Sequence, residues 1–207
     1  MPRLSNKDLE NTRTKINLAA LKCFSTAGFN GVTMRDIAAQ AKVPLGSLYN
    51  YYDNKQNLFS HIITEQSALF LSNENDVVRY FLNSKFPDDL PILADAIRDS
   101  LKKYKYYFKL MYVDVVEFDG ANIREVFSDL EKKFTAVLGN RFRQTGLLGQ
   151  KKIDPAFALI SIYLSFYQYF VLSRLFGATH IYGKRSETEV VDGLIELLFH
   201  GIKGQDH

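Results

Sequence analysis

Between Thr33 and Lys55 the chain carries so many start and stop signals that it has room for only two short helices there. Thr33-Met34-Arg35-Asp36 has the form of a capping box. The Thr33 hydroxyl can accept a first-turn N–H, and Asp36 can reach back to the cap. Ile37, Ala38 and Ala41 follow as a short apolar face. Pro44 disfavours continuation of that helix, having no N–H and a ring that clashes with the preceding turn, but suits the first turn of a new one. The second helix, roughly 44–51, places Leu48 and Tyr51 inward and is broken at Asp53-Asn54. Lys55 then opens a longer helix with Leu58, Phe59, Ile62 and Ile63.

Two short helices joined by a tight turn have the geometry of a helix-turn-helix, in which the first helix braces a second that enters the major groove. Ala38, Ala39 and Ala41 allow a close crossing, and Gly46, Ser47 and Asn50 leave the second helix's backbone accessible. The Tyr49 hydroxyl can reach a phosphate, and Lys55 adds a cation. The same residues also fit a pair of short core helices. Charge distribution bears on this choice. Residues 1–60 hold eight Lys/Arg against four acids, a net +4, while the remaining eighteen against nineteen give −1. The basic excess lies on the segment that phosphate contact would use.

The rest of the chain reads as helices, with no strand-like alternation. Ile16, Ala20, Cys23, Phe24 and Ala27 form one face of a helix ended by Gly28, and residues 1–5 read as a loose arm. Pro87 to Pro91 marks a break. One apolar stripe runs from Ile97 through Leu101, Tyr104, Phe108 and Met111 to Val115, with an interruption expected near Lys109. Asp119-Gly120 is a turn, and a helix with Ile123, Phe127, Leu130, Phe134 and Leu138 is expected to end near Gly146. Asp154-Pro155 caps an apolar helix reaching about Phe176, and Ser186 to Glu189 is a second capping box before a last helix. The fold expected is all-α: an N-terminal three-helix domain with the helix-turn-helix, then a larger helical domain.

Residues 31–59, GVTMRDIAAQAKVPLGSLYNYYDNKQNLF, closely resemble the signature of the tetracycline-repressor (TetR) family of bacterial transcription regulators. The shared pattern is Gly-x-Thr, Ile-Ala, Ala-x-Val, Gly-x-Leu-Tyr-x-Tyr/Phe and Lys-x-x-Leu in one register. Lys42 departs from it, standing where the family usually has glycine. A left-handed turn there would be slightly strained, although lysine could add a phosphate contact.

The resemblance implies roles for individual residues. Thr33, Tyr49 and Lys55 match backbone-contacting positions, and Pro44, Leu45 and Ser47 the exposed front of the recognition helix. Arg35 matches a position able to reach a base or a phosphate, and is the best candidate for a guanine contact. It further implies a DNA-binding domain at 1–55 and a ligand-binding and dimerisation domain at 56–207. The partners implied are a double-stranded, near-palindromic operator, a second copy of the chain, and an effector whose binding releases the DNA.

Two features of the residues themselves agree with that organisation. The stretch 157–176 is apolar nearly all round and needs cover on more than one side, as a dimer would supply. The middle of the chain is rich in aromatics with scattered hydroxyls and amides, the make-up of either a core or an elongated apolar pocket. Tyr104, Phe108, Met111, Tyr112, Phe127, Ser161 and Gln168 are the candidate contacts for a small lipophilic or aromatic effector. Asp114, Glu117 and Asp119 either serve a cationic ligand or form a solvated face.

Other classes find little support. The one cysteine, Cys23, allows no disulfide framework or cysteine metal cluster and suits a reducing cytosol. The four histidines are scattered, and there is no metal-ligand spacing, phosphate loop or dinucleotide fingerprint. No catalytic residue, metal or cofactor is expected. The polar N-terminus does not read as a signal peptide, and the apolar stretch 157–172 falls short of a membrane span. A helical interaction or scaffold protein without DNA binding is the alternative, and an enzyme a more distant one.

Overall fold

The computed structural model describes residues 6–83, 85–142 and 154–203. Among them are ten helices and no strand. They are α1 (Asn6–Ala27), α2 (Met34–Ala41), α3 (Leu45–Tyr49), α4 (Lys55–Phe70), α5 (Asp76–Asn83), α6 (Leu90–Lys103), α7 (Lys105–Phe118), α8 (Ile123–Phe142), α9 (Pro155–Arg174) and α10 (Glu187–Lys203). The arm at 1–5, the helix end placed near Gly146, and the side chains of Leu130, Phe134 and Leu138 lie outside the described residues.

The chain forms two compact units, and the first is discontinuous in sequence: Met1–Phe70 joined by Tyr106–Ser128. Ile16, Ala20 and Phe24 of α1, Ile37 and Ala38 of α2, Leu48 of α3 and Leu58, Phe59, Ile62 and Ile63 of α4 are buried in it. Phe118 completes an aromatic cluster there, with ring centroids 4.7 Å from Phe29 and 4.8 Å from Phe59. The Tyr107 hydroxyl lies 2.9 Å from Ser67 Oγ, which itself donates to the Ile63 carbonyl. Burial pushes the Tyr107 hydroxyl's pKa up, so it stays protonated as a hydrogen-bonding group.

The second unit comprises 71–105 and 129–207. In it α6 packs against α5, α9 and α10. Asp154 caps α9 as its spacing predicts, accepting from Ala156 N and Phe157 N. The Ser186–Glu189 capping box also forms. Glu187 ties the helices together, pairing with Arg174 of α9 and lying 3.7 Å from Arg98 of α6. At 20 residues and a mean hydropathy of 1.5, α9 is long and apolar enough to cross a membrane by length and composition alone, so length does not separate the two readings. Its Leu159, Ile162, Phe166 and Phe170 are fully buried within the protein, as in a core helix.

Several elements differ from expectation. The stripe from Ile97 to Val115 is two helices broken at Tyr104, not one interrupted near Lys109. Tyr104 leaves helical geometry at φ −102 and ψ 25 while its N–H still bonds Ser100 O, so the helix is broken without glycine or proline. Helix α5 was not anticipated; Asn75 caps it, its side chain accepting from Val77 N. On α1, Cys23 is half-buried and Ala27 exposed, because that helical face narrows towards its C-terminal end. Tyr52, rather than Tyr51, is the tyrosine buried after α3.

Candidate DNA interface

Helix α2 begins on the capping box read from sequence. Asp36 N donates to Thr33 Oγ1 at 3.2 Å, and Thr33 N donates to Asp36 Oδ2 at 2.8 Å. The Thr33 hydroxyl also donates to the same carboxylate at 2.6 Å. These bonds hold the Asp36 carboxyl below the usual carboxylate range.

The helix ends at Lys42, which takes the left-handed conformation, φ 57 and ψ 43. Lys42 N donates to Ala39 O at 3.1 Å and Val43 N to Ala38 O at 3.0 Å, the paired bonds of a tight helix stop. Pro44 then starts α3, its carbonyl accepting from Ser47 N at 2.9 Å. Leu48, fully buried, pins α3 from beneath. The turn therefore fixes which side of α3 faces out. Tyr49 is 48% exposed, Thr33, Arg35 and Pro44 are exposed, and Leu45 and Ser47 are half-buried.

Two further tyrosines anchor the segment after α3. Tyr51 Oη donates to Leu9 O of α1 at 3.0 Å. Tyr52 Oη donates to Asn17 Oδ1 at 2.6 Å, and Asn17 Nδ2 donates to Glu65 Oε2 at 3.0 Å. Asn17 is itself buried. This polar chain joins α1, the end of α3 and α4. Sequence reasoning missed it, although an asparagine beside the buried Ile16 was a signal for it.

Lys55 sits differently from an outward-facing phosphate ligand. Its ammonium donates to the carbonyls of Phe29 and Val32, each at 2.8 Å, and lies 4.2 Å from the Phe29 ring centroid. An ammonium has three N–H groups, so one remains for a phosphate. The half-buried Cys23 thiol has its pKa raised by burial, which disfavours the thiolate a nucleophile needs.

The acids near α7 have specific partners within the chain. Asp114 is fully buried and caps α8, accepting from Asn122 N, Asn122 Nδ2 and Ile123 N. Glu117 accepts from the backbone of Phe29 and Asn30. Asp119 pairs with Arg124. Neither a cation-binding triad nor a plainly solvated face describes these three residues.

The candidate effector residues divide between the units. Phe108, Met111, Tyr112 and Phe127 belong to the first, and Tyr104, Ser161 and Gln168 to the second. Phe108 is buried, with its ring 5.4 Å from that of Phe70, and Met111 is half-buried; Tyr112 and Phe127 are exposed. Tyr104 is buried, Ser161 donates to Phe157 O in its own helix, and Gln168 is exposed. A cavity of about 440 Å³ in the second unit is lined by Asp76, Arg79, Tyr80, Asn83, Asp89, Ile92, Asp95, Ala96 and Asp99. Its four aspartates against one arginine make its charge acidic, and it includes none of the candidates.

Residues 16–62, which contain this capped helix pair, match the family described as bacterial regulatory proteins, tetR family. Over that stretch the chain is similar to the bacterial regulatory proteins of the tetR family. The chain is also similar to the HTH-type transcriptional repressor AcnR of Corynebacterium diphtheriae, 31% identical over 68 residues. That match spans 33% of this chain and 36% of the repressor's length. Among solved structures, the fatty acid degradation regulator FadR of Bacillus halodurans has the same fold, with a TM-score of 0.63 at 18% identity over 100% of both chains. A TetR family transcription regulator of Marinobacter aquaeolei shares it too, with a TM-score of 0.63 at 16% identity over 96% of this chain and 98% of that one.

Proposed function

We propose that the chain is a cytoplasmic transcriptional repressor that binds a near-palindromic operator as a homodimer and is released by a lipophilic small molecule. The observation carrying this reading is the capped α2–turn–α3 pair, locked beneath by Leu48, with Thr33, Arg35, Pro44 and Tyr49 on the outside. Residues 1–55 meet the DNA, while 56–207 dimerise and bind the effector. Thr33, Tyr49 and the remaining N–H of Lys55 contact phosphates; Pro44, Leu45 and Ser47 face the groove, and Arg35 reads a guanine.

The dimer is supported by an uncovered stripe on α9. Phe157, 69% exposed, is followed by Ile160 and Leu164 at helical spacing, both exposed. Apolar surface of this kind is where a second copy seats. A two-fold dimer presents its recognition helices about one DNA turn apart, roughly 34–36 Å. The lipophilic effector class is supported by the aromatic content of the middle helices and by the fold shared with a fatty acid degradation regulator. Phe108, Met111, Tyr112 and Phe127 in one unit, and Tyr104, Ser161 and Gln168 in the other, are its candidate contacts. The effector shifts the protein away from the DNA-binding state by its difference in affinity for the two states.

Selection of duplexes from a random pool, followed by titration over a salt series, tests the reading. A palindromic consensus and a steep salt dependence are expected. Negligible affinity at low salt would overturn it. On the selected duplex, Tyr49→Phe weakens binding to all sequence variants about equally, whereas Arg35→Ala relaxes preference at particular base pairs. Uniform weakening by Arg35→Ala would assign Arg35 to phosphate.

A further inference from the structure

The loop between α1 and α2 is held from both sides by charged side chains of later helices. Glu117, in the last turn of α7, accepts the Phe29 N–H on Oε1 and the Asn30 N–H on Oε2, each at 2.9 Å. Lys55, the first residue of α4, takes the loop's carbonyl side at Phe29 and Val32. Phe118, next to Glu117, packs its ring against Phe29. The fit is close. Gly28 has φ +77, and a Cβ there would stand 2.8 Å from Glu117 Oε1. Asn30 is three residues before Thr33, the cap of α2, so the loop's placement passes directly to the start of the helix pair.

We propose that Glu117 is a positioning residue for DNA recognition. By holding the amides of Phe29 and Asn30 it sets where α2 begins, and so the pose in which α2 and α3 meet the duplex. Glu117 lies far outside the segment 16–62 that matches the TetR family, and the inference rests on the DNA-binding reading above. Two physical observations support it. Both carboxylate oxygens are spent on backbone amides of one loop, and residues 106–128 form a compact unit with 1–70.

The sign of the effect separates positioning from simple charge. An acid near a DNA-binding surface repels phosphates, so as a mere surface charge its removal would tighten binding. As a positioning residue, its removal weakens binding.

The test uses the full chain and a duplex that the parent protein selects from a random pool, with affinity followed by fluorescence anisotropy over a salt series. Glu117→Ala is expected to lose about tenfold or more in affinity with the salt slope unchanged, because no phosphate contact is removed. Glu117→Gln keeps the shape and one carbonyl acceptor, and falls between parent and alanine variant. Hydrogen exchange at the Phe29 and Asn30 amides accelerates in Glu117→Ala. A folded alanine variant that binds within twofold of the parent, or more tightly, overturns the proposal. Should that variant fail to fold, parent-like affinity of Glu117→Gln overturns it instead. A parent chain that binds no duplex at low salt removes the DNA-binding reading and this inference together, whereas equal binding by parent and variant removes this inference alone.

Discussion

Lys42 stops α2 in a left-handed conformation, where a Cβ crowds the following carbonyl at a cost of roughly 1–2 kcal/mol. Glycine avoids that crowding but loses more chain entropy on folding, by about 0.5–1 kcal/mol. Lys42→Gly is therefore expected to raise the unfolding free energy by about 0.5–1 kcal/mol in a urea titration. Unchanged affinity and salt slope in this variant would show that the lysine makes no phosphate contact. Asp36 adds a pH dependence at the same helix. Hydrogen bonds from Thr33 depress its folded pKa below the unfolded value of about 3.9. The unfolded state then binds more protons in that window, so stability rises with pH there. The cap's contribution is complete above the unfolded value and fades as pH drops through the lower folded one. Asp36→Asn should flatten the acid limb of a stability–pH profile, and an unaltered limb would assign it to other carboxyls.

At the scale of elements, the Tyr52–Asn17–Glu65 chain fixes the end of α3 against α1 and α4. Tyr52→Phe leaves the buried Asn17 Oδ1 without its donor, at a cost of about 1–3 kcal/mol. The variant should melt earlier and bind the selected duplex more weakly; parent-like melting would show that water replaces the hydroxyl. What was legible in the sequence follows from where the determinants lie. The caps of α2, α9 and α10 were readable because Thr33 and Asp36, Asp154 and Pro155, and Ser186 and Glu189 act within a few residues of one another. The break at Tyr104 was hidden because the apolar period runs through it, and the turn uses an ordinary residue at negative φ. Glu117 was hidden for a different reason: its partners lie almost ninety residues away, and nothing local marks a glutamate in a helix as a ligand for distant amides. Asp114 misled because its neighbours in sequence are mixed, whereas its surroundings in space are a helix start.

At the scale of the molecule, the α9 stripe makes association the next step. Leu164→Glu places a charge in the middle of the proposed contact. Sedimentation should report a monomer, and affinity for a full palindrome should fall towards that for a half-site. A dimer that persists would put the contact elsewhere on the surface. The discontinuity of the first unit has a consequence during synthesis. Residues 1–70 leave the ribosome well before 106–128, which supply Phe118, Glu117 and the Tyr107 partner of Ser67. At roughly 5–20 residues per second, the intervening stretch takes several seconds to emerge. During that interval the nascent N-terminal helices lack the lid over Phe29 and Phe59, so a chain interrupted before residue 106 would present those rings to chaperones and proteases instead of packing them against Phe118.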